Sequence, residues 1–157
     1  MTQKDKLIIS LLREDSRMSL TEMSKKAQIP VSTLYERLKK YQNTLIKKNT
    51  TLVDFSQLGF SARARVLLKV KKSELEKLRE FLMGSNALNE LYKVNNGYDF
   101  MAEFIFQTMK EMEAYLDMLG DKYGVEKEEV FYIVDELRRE EFLSKSNLIL
   151  LTHPQDL

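Results

Sequence analysis

Almost all the reactive polarity of this 157-residue chain lies in 25 lysines and arginines and 24 aspartates and glutamates, because cysteine is absent and histidine occurs once. Disulfides, thiolate metal sites and thiol nucleophiles are thereby excluded. His153 lies close to the end, so a zinc centre or a Ser-His-Asp triad would have to be built on the last few residues. No spacing among the acidic residues singles out a pair for general acid–base work. With five glycines there is also no Gly-rich phosphate loop. No catalytic residue, metal ligand or cofactor is expected. The basic residues carry more information. Residues 1–50 hold 11 Lys and Arg against 5 Asp and Glu, whereas residues 51–157 hold 14 against 19. A cationic front suits a polyanion, and an acidic back does not.

Three helices must position those front charges. Thr2 can cap a first helix reaching about Glu14, with Leu7, Ile8, Leu11 and Leu12 as its apolar stripe. Ser19-Leu20-Thr21-Glu22 has the form of a capping box and opens a short helix that buries Leu20, Met23 and Ala27. Pro30 suits the first position of a third helix, whose apolar repeat is Leu34, Leu38, Tyr41 and Leu45. Its remaining faces show Ser32, Thr33, Glu36, Arg37, Lys39 and Lys40. A β-rich patch, Thr50 to Val53, leads into the connector Asp54-Phe55-Ser56-Gln57-Leu58-Gly59.

From residue 62 the period changes from helical to two. Ala62, Ala64, Val66, Leu68 and Val70 share one face of a strand. Ser73-Glu74-Leu75-Glu76 reads as a second capping box, opening a helix to about Met83. Leu88 to Asn95 is a strand, and Asn96-Gly97 then signals a hairpin, since a type I′ turn needs two residues tolerant of positive φ. The returning strand alternates Phe100, Ala102, Phe104 and Phe106. Thr108-Met109-Lys110-Glu111 caps a further helix, and Val130 to Val134 is the last strand.

The order β-α-β, hairpin, β-α-β is that of the split βαβ, ferredoxin-like sandwich, with both helices on one face of a four-stranded antiparallel sheet. The fold class is α+β: a three-helix domain over 1–50, a strand and hinge linker over 51–61, and a ferredoxin-like domain over 62–157. On the sheet's second face the alternation puts Leu67, Leu91, Met101, Ile105, Phe131 and Ile133. Such a set is too apolar to stay wet, and pairing of two sheets in a homodimer would cover it.

These residues carry a resemblance over essentially the whole chain. "LLREDSRMSLTEMSKKAQIPVSTLYERLKKYQNTLI" resembles the helix-turn-helix of the Lrp/AsnC (feast/famine) family of prokaryotic regulators. "NTTLVDFSQLGF" looks like its strand and hinge, and "YKVNNGYDFMAEFIF" like the hairpin of its C-terminal regulatory domain. The resemblance implies a winged-type helix-turn-helix that binds double-stranded DNA as a homodimer, or as tetramers or octamers built from dimers. It also implies a small-molecule effector near the hairpin loop, making Asn95, Asn96, Gly97, Tyr98 and Asp99 the candidate contacts. The family usually has glycine where this chain has Gln28, and Gly-Asp where it has Asn96-Gly97. Asn96-Gly97 as a plain turn, with Asp99 capping it, is the other reading of that loop.

With the third helix in a major groove, its N-terminal residues reach base edges. Ser32 and Thr33 can donate or accept there, Glu36 can accept from cytosine, and Val31 can touch a thymine methyl. Arg37 can fork onto guanine or phosphate, the alternative being a salt bridge to a carboxylate. Lys39, Lys40, Lys47 and Lys48 are suited to phosphates, as are Lys25 and Lys26 from the second helix. Tyr35 is divided between packing and a phosphate hydrogen bond. A competing reading makes the chain a ligand-sensing or protein-docking module without specific DNA binding. The start MTQKDKLIIS does not read as a signal peptide, and no apolar run approaches the ~18 residues of a membrane span, so a cytoplasmic protein is expected. The apolar run before Pro154 has no assigned role.

Overall fold

A computed structural model describes residues 1–145. The apolar run that precedes Pro154, with Pro154 and His153 themselves, lies outside the described residues. The chain forms two compact units, Met1–Leu52 together with the chain from Leu137, and Val53–Glu136.

In the first unit, α1 (Gln3–Glu14), α2 (Leu20–Ala27) and α3 (Val31–Thr44) are the three expected helices. Thr2 caps α1 reciprocally: its hydroxyl accepts from the Asp5 amide, and the Asp5 carboxylate accepts from the Thr2 amide. Ser19 caps α2 by accepting from the Glu22 amide at 3.2 Å, while the Glu22 carboxylate pairs with Lys26. Pro30 is the N-cap of α3, one position earlier than expected, and makes no side-chain cap bond. The three helices close over Leu7, Ile8, Leu11, Met23, Ala27, Ile29, Leu34 and Tyr41. Leu45, expected on the apolar stripe, caps the end of α3 and is exposed.

Gln28 joins α2 to α3 in the left-handed region, at φ 53°. A side chain there costs about 1–2 kcal/mol, which glycine does not incur. Gln28→Gly is therefore expected to stabilise the first unit by about 0.5–1 kcal/mol net of the added chain entropy, read as a higher thermal midpoint. Beyond Leu137 the described chain meets α1 at the Arg13 guanidinium. Arg13 donates to the carbonyls of Phe142 and Glu140 at 2.6 and 3.0 Å and pairs with the Glu140 carboxylate at 2.8 Å.

The second unit is a sheet in the order β2-β3-β1-β4, built of β1 (Ala62–Val70), β2 (Leu88–Lys93), β3 (Phe100–Phe106) and β4 (Val125–Tyr132). Each neighbouring pair is antiparallel. The helices α4 (Leu75–Met83) and α5 (Met109–Tyr123) complete the βαββαβ order. Val66, Leu68, Leu78, Leu82, Phe104, Met112 and Leu119 are fully buried in one core cluster. The Thr108 capping box of α5 forms as expected.

Several local expectations need correction. The strand expected over Thr50–Val53 is not formed: residues 46–54 are neither helix nor strand, and among the described residues the first unit has no winged element. The described strands pair among themselves in the order β2-β3-β1-β4, which does not include this segment. Ser73 does not cap α4, which is entered through a turn at Lys71–Glu74 with Glu74 as an uncapped N-cap. The last strand is Val125–Tyr132 rather than Val130 to Val134. Its first half, Val125-Glu126-Lys127-Glu128-Glu129, is charged because it lies on the sheet edge, where charge deters further pairing.

Leu91 was expected on the outer face and packs instead against the core, opposite Ala102. A register shift between Leu88 and Glu90 inserts Asn89 as an extra residue, so every later position of β2 changes face. The pairings lay the outer face out in rows. Arg63 lies opposite Ile105, and the Ile133 amide donates to the Arg63 carbonyl. The next row runs Glu90, Glu103, Arg65, Phe131 from β2 to β4, and the one after it Tyr92, Met101, Leu67, Glu129. The expected apolar face is thus crossed by a charged row. Glu103, 2% exposed, accepts from Arg63 at 3.0 Å, Arg65 at 3.1 Å and the Asn89 amide at 2.7 Å. Arg63 also pairs with Glu136, and Arg65 with Glu90.

Candidate nucleic-acid interface

α3 divides cleanly into two sides. Leu34 is fully buried, and Leu38 and Tyr41 face α1 and α2. On the opposite side Val31, Ser32, Thr33, Tyr35, Glu36, Lys39 and Lys40 are all exposed, Tyr35 by 52%. No acidic residue occupies the first turn, and Pro30 leaves the leading backbone N–H groups without a side-chain acceptor. An uncapped helix start of this kind has partial positive charge and free donors, the combination an anion requires.

The frame holding this surface is polar as well as apolar. Ser24 donates its hydroxyl to the Ile29 carbonyl at 2.5 Å, and the Ile29 amide donates back to the Ser24 carbonyl, which locks the turn before α3. Across the bundle, the Asp5 carboxylate accepts from Tyr41 Oη at 2.5 Å and from the Arg37 guanidinium. The Tyr41 bond, then the Thr2 amide, hold the Asp5 carboxyl far below the usual carboxylate range, with Arg37 adding to the effect. Burial, then the bond to Asp5, push the Tyr41 phenol up. Arg37 is thus in the salt bridge that formed its alternative reading, and it ties α3 to the first turn of α1. The spacing of four between Arg37 and Tyr41 puts both on one face of α3, which is the only sequence signal this triad left.

The candidate phosphate residues are dispersed around that surface. Lys25 and Lys26 are exposed on α2, with Lys26 paired to Glu22 at 3.2 Å, and Lys47 and Lys48 are exposed beyond α3. In the second unit, Asn96 and Gly97 have φ of 61° and 89°, as a type I′ turn requires. Asn95, Asn96 and Gly97 are exposed, but Tyr98 and Asp99 are committed within the fold. Asp99 accepts from the Val70 amide at 3.0 Å and Lys69 Nζ at 3.2 Å, and Tyr98 donates to Glu129 while Lys127 lies 4.8 Å from its ring centre. Burial raises the Asp99 pKa, but the Val70 amide and Lys69 outweigh it and leave the group below its ordinary value. Among the described residues no cluster of three or more His, Cys, Asp or Glu is placed to hold a metal. None of the helices described is long and apolar enough to cross a membrane.

Residues 1–42 match the AsnC-type helix-turn-helix domain model. The chain is 32% identical over 123 residues to the HTH-type transcriptional regulator FL11 of Pyrococcus furiosus, covering 78% of this chain and 82% of that one. The chain belongs to the Lrp/AsnC family. Within the Lrp/AsnC relatives, the transcriptional regulator AzlB of Bacillus subtilis is 30% identical over 123 residues, covering 76% of each chain. Two solved Lrp/AsnC-like structures show the shared fold. LrpC of Bacillus subtilis superposes with a TM-score of 0.76 at 22% identity, over 88% of this chain and 97% of that one. A transcriptional regulator of Neisseria meningitidis in complex with L-Met gives 0.82 at 16% identity, over 88% and 93%. As a member of the Lrp/AsnC family the chain is a transcriptional regulator and not an enzyme.

Proposed function

We propose that this regulator reads double-stranded DNA by inserting the exposed side of α3 into a major groove, with α2 bracing it across the backbone. The observation carrying this reading is the unblocked start of α3, presented on a helix that Asp5, Arg37 and Tyr41 hold in place. Val31, Ser32, Thr33 and Glu36 meet base edges, Tyr35 reaches a phosphate, and Arg37 acts by positioning α3 rather than by touching a base. Lys25, Lys26, Lys39, Lys40, Lys47 and Lys48 meet phosphates. The regulator works in the cytoplasm as a homodimer formed through the outer sheet face, and higher assemblies build on it. Two copies then offer recognition helices about 34 Å apart, or a multiple of that, to a partly palindromic site.

A salt titration tests the placement. Each lysine that neutralises one phosphate contributes about 0.9 to the slope of log affinity against log salt. Lys39→Ala and Lys40→Ala are each expected to flatten that slope by about this amount. Footprinting of Ser32→Ala, Thr33→Ala and Glu36→Ala variants should shift sequence preference with little change in slope. Slopes unmoved by both lysine changes would remove α3 from the groove and favour a protein-docking role.

The L-Met complex of the Neisseria regulator supports a small amino-acid-like effector for this chain. With Tyr98 and Asp99 engaged internally, the contacts fall to Asn95, Asn96 and the Gly97 amide.

A further inference from the structure

We propose that Arg13 is a positioning residue for DNA reading: by fastening the returning stretch to α1, it gives the DNA-reading unit a second, short tether to the sheet unit and restricts where α3 is presented. The inference rests on the DNA reading above and adds a restraint on half-site spacing to it. The chain crosses between the units twice, after Leu52 and before Leu137. The first crossing lies within residues 46–54, which are neither helix nor strand. An irregular connector limits position mainly through its length, and one of this size extends to about 30 Å. A single leash of that reach leaves a reading head wide latitude. The second crossing is short because both of its ends are held. On the sheet side the Ile133 amide donates to the Arg63 carbonyl at 2.8 Å, and Arg63 also pairs with Glu136. On the helix side Arg13 donates through Nε to the Phe142 carbonyl at 2.6 Å. Its Nη2 donates to the Glu140 carbonyl and carboxylate at 3.0 and 2.8 Å. The chain between Glu136 and Glu140 spans about 14 Å at most.

That guanidinium matters because the stretch has no regular structure of its own. Residues 133–145 form no helix or strand, and Leu137 and Phe142 are 90% and 81% exposed, so neither apolar side chain anchors it by burial. Glu140 and Leu143 have φ of 54° and 58°, left-handed values that side chains disfavour and that persist only where the surroundings impose them. The two bends flank Phe142, and the Glu140 and Phe142 carbonyls meet on one planar fork, which the point charge of a lysine does not reproduce. Ser10, one turn before Arg13 and off the Leu7–Ile8–Leu11 face, is nevertheless fully buried, so this side of α1 is covered rather than wet. For a dimer, two-point attachment of each reading head favours one half-site separation over others, because it raises the effective concentration of the second head there alone.

The chain contains no cysteine, so Gln42→Cys on α3 and Glu80→Cys on α4, both exposed, can take one spin label each. Labelled chain is diluted into excess unlabelled chain, and the distance distribution within one chain is read by pulsed paramagnetic resonance. Three changes are made in this background. Arg13→Ala removes the fork, and Arg13→Lys keeps the charge without it. A flexible insertion of about six Gly and Ser residues between Leu137 and Arg138 lengthens the tether and leaves the contacts of Arg13 in place, so a folding defect at Arg13 does not decide the test. Each change is expected to widen the distribution about twofold. Duplexes that the unmodified chain selects from a random pool are then respaced by whole base pairs. Respacing is expected to cost the unmodified chain about tenfold in affinity and the variants several-fold less, with salt slopes unchanged. Widths unmoved by both Arg13 changes overturn the role of Arg13, and widths unmoved by the insertion overturn the second tether. Wider distributions with the same spacing preference overturn the positioning of DNA reading. A chain that selects no duplex overturns the DNA reading itself and the positioning role with it, while the widths still decide the tether.

Discussion

Glu103→Leu is expected to destabilise the sheet-bearing unit by about 3 kcal/mol. Removing one partner of a buried ion pair costs about 3–5 kcal/mol because the charges left behind lose their compensation. Here both arginines keep a second carboxylate, Glu136 for Arg63 and Glu90 for Arg65, which puts the loss at the lower end. For a unit of this size the corresponding fall in thermal midpoint is about 10 °C or more. Chemical denaturation of the full chain, followed through signals of the second unit, checks it. Replacing Glu103, Arg63 and Arg65 together by apolar residues is expected to recover part of the loss, since no arginine is then left facing an absent Glu103 carboxylate. A Glu103→Leu protein as stable as the parent would show that the cluster contributes little to the fold. Burial alone would raise the Glu103 pKa, but the bonds from Arg63, Asn89 and Arg65 bring it below its ordinary 4.5. Its contribution is therefore complete at neutral pH and declines only as pH drops from about 4.5 towards the lowered folded value.

Asp5→Ala is expected to cost the first unit about 2–3 kcal/mol, the range of hydrogen bonds to a charged group. The carboxylate, 16% exposed in its side chain, accepts from the Thr2 amide at 2.7 Å, from Tyr41 and from Arg37, and all three donors lose their acceptor. Because its folded pKa is depressed, its stabilisation too is present at neutral pH and is lost in acid, beginning near its ordinary 3.8. The functional signature separates this residue from the lysines. Asp5→Ala lowers DNA affinity by loosening α3 but leaves the salt slope unchanged, because no phosphate contact disappears. A flattened slope in this variant would instead place Arg37 on the phosphate backbone.

The architecture could be read from local signals because those signals are local physics. Thr2 and Thr108 cap their helices, Asn96-Gly97 turns with two positive φ angles, and the period-two run from Ala62 buries one face. What escaped the sequence was whatever depends on partners distant along the chain. Arg37 and Asp5 are 32 residues apart, and no spacing rule links charges on separate helices. Leu91 changed faces through one inserted residue, Asn89, which alternation counted along a single strand does not register. Thr50 to Val53 has the composition of a strand but lies outside the described four-stranded sheet. The polar half of β4 was overlooked because an edge strand is written in charges rather than in apolar alternation.

The chain leaves the first unit after Leu52 and rejoins it at Leu137. Cleavage at that first crossing would thus free no DNA-reading fragment by itself, because its other stretch stays covalently attached to the sheet through Glu136. A protease acting there should yield a nicked species that migrates intact under native conditions and separates only in denaturant. Arg13, gripping the returning stretch through Glu140 and Phe142, is the fastening such a nick leaves in place.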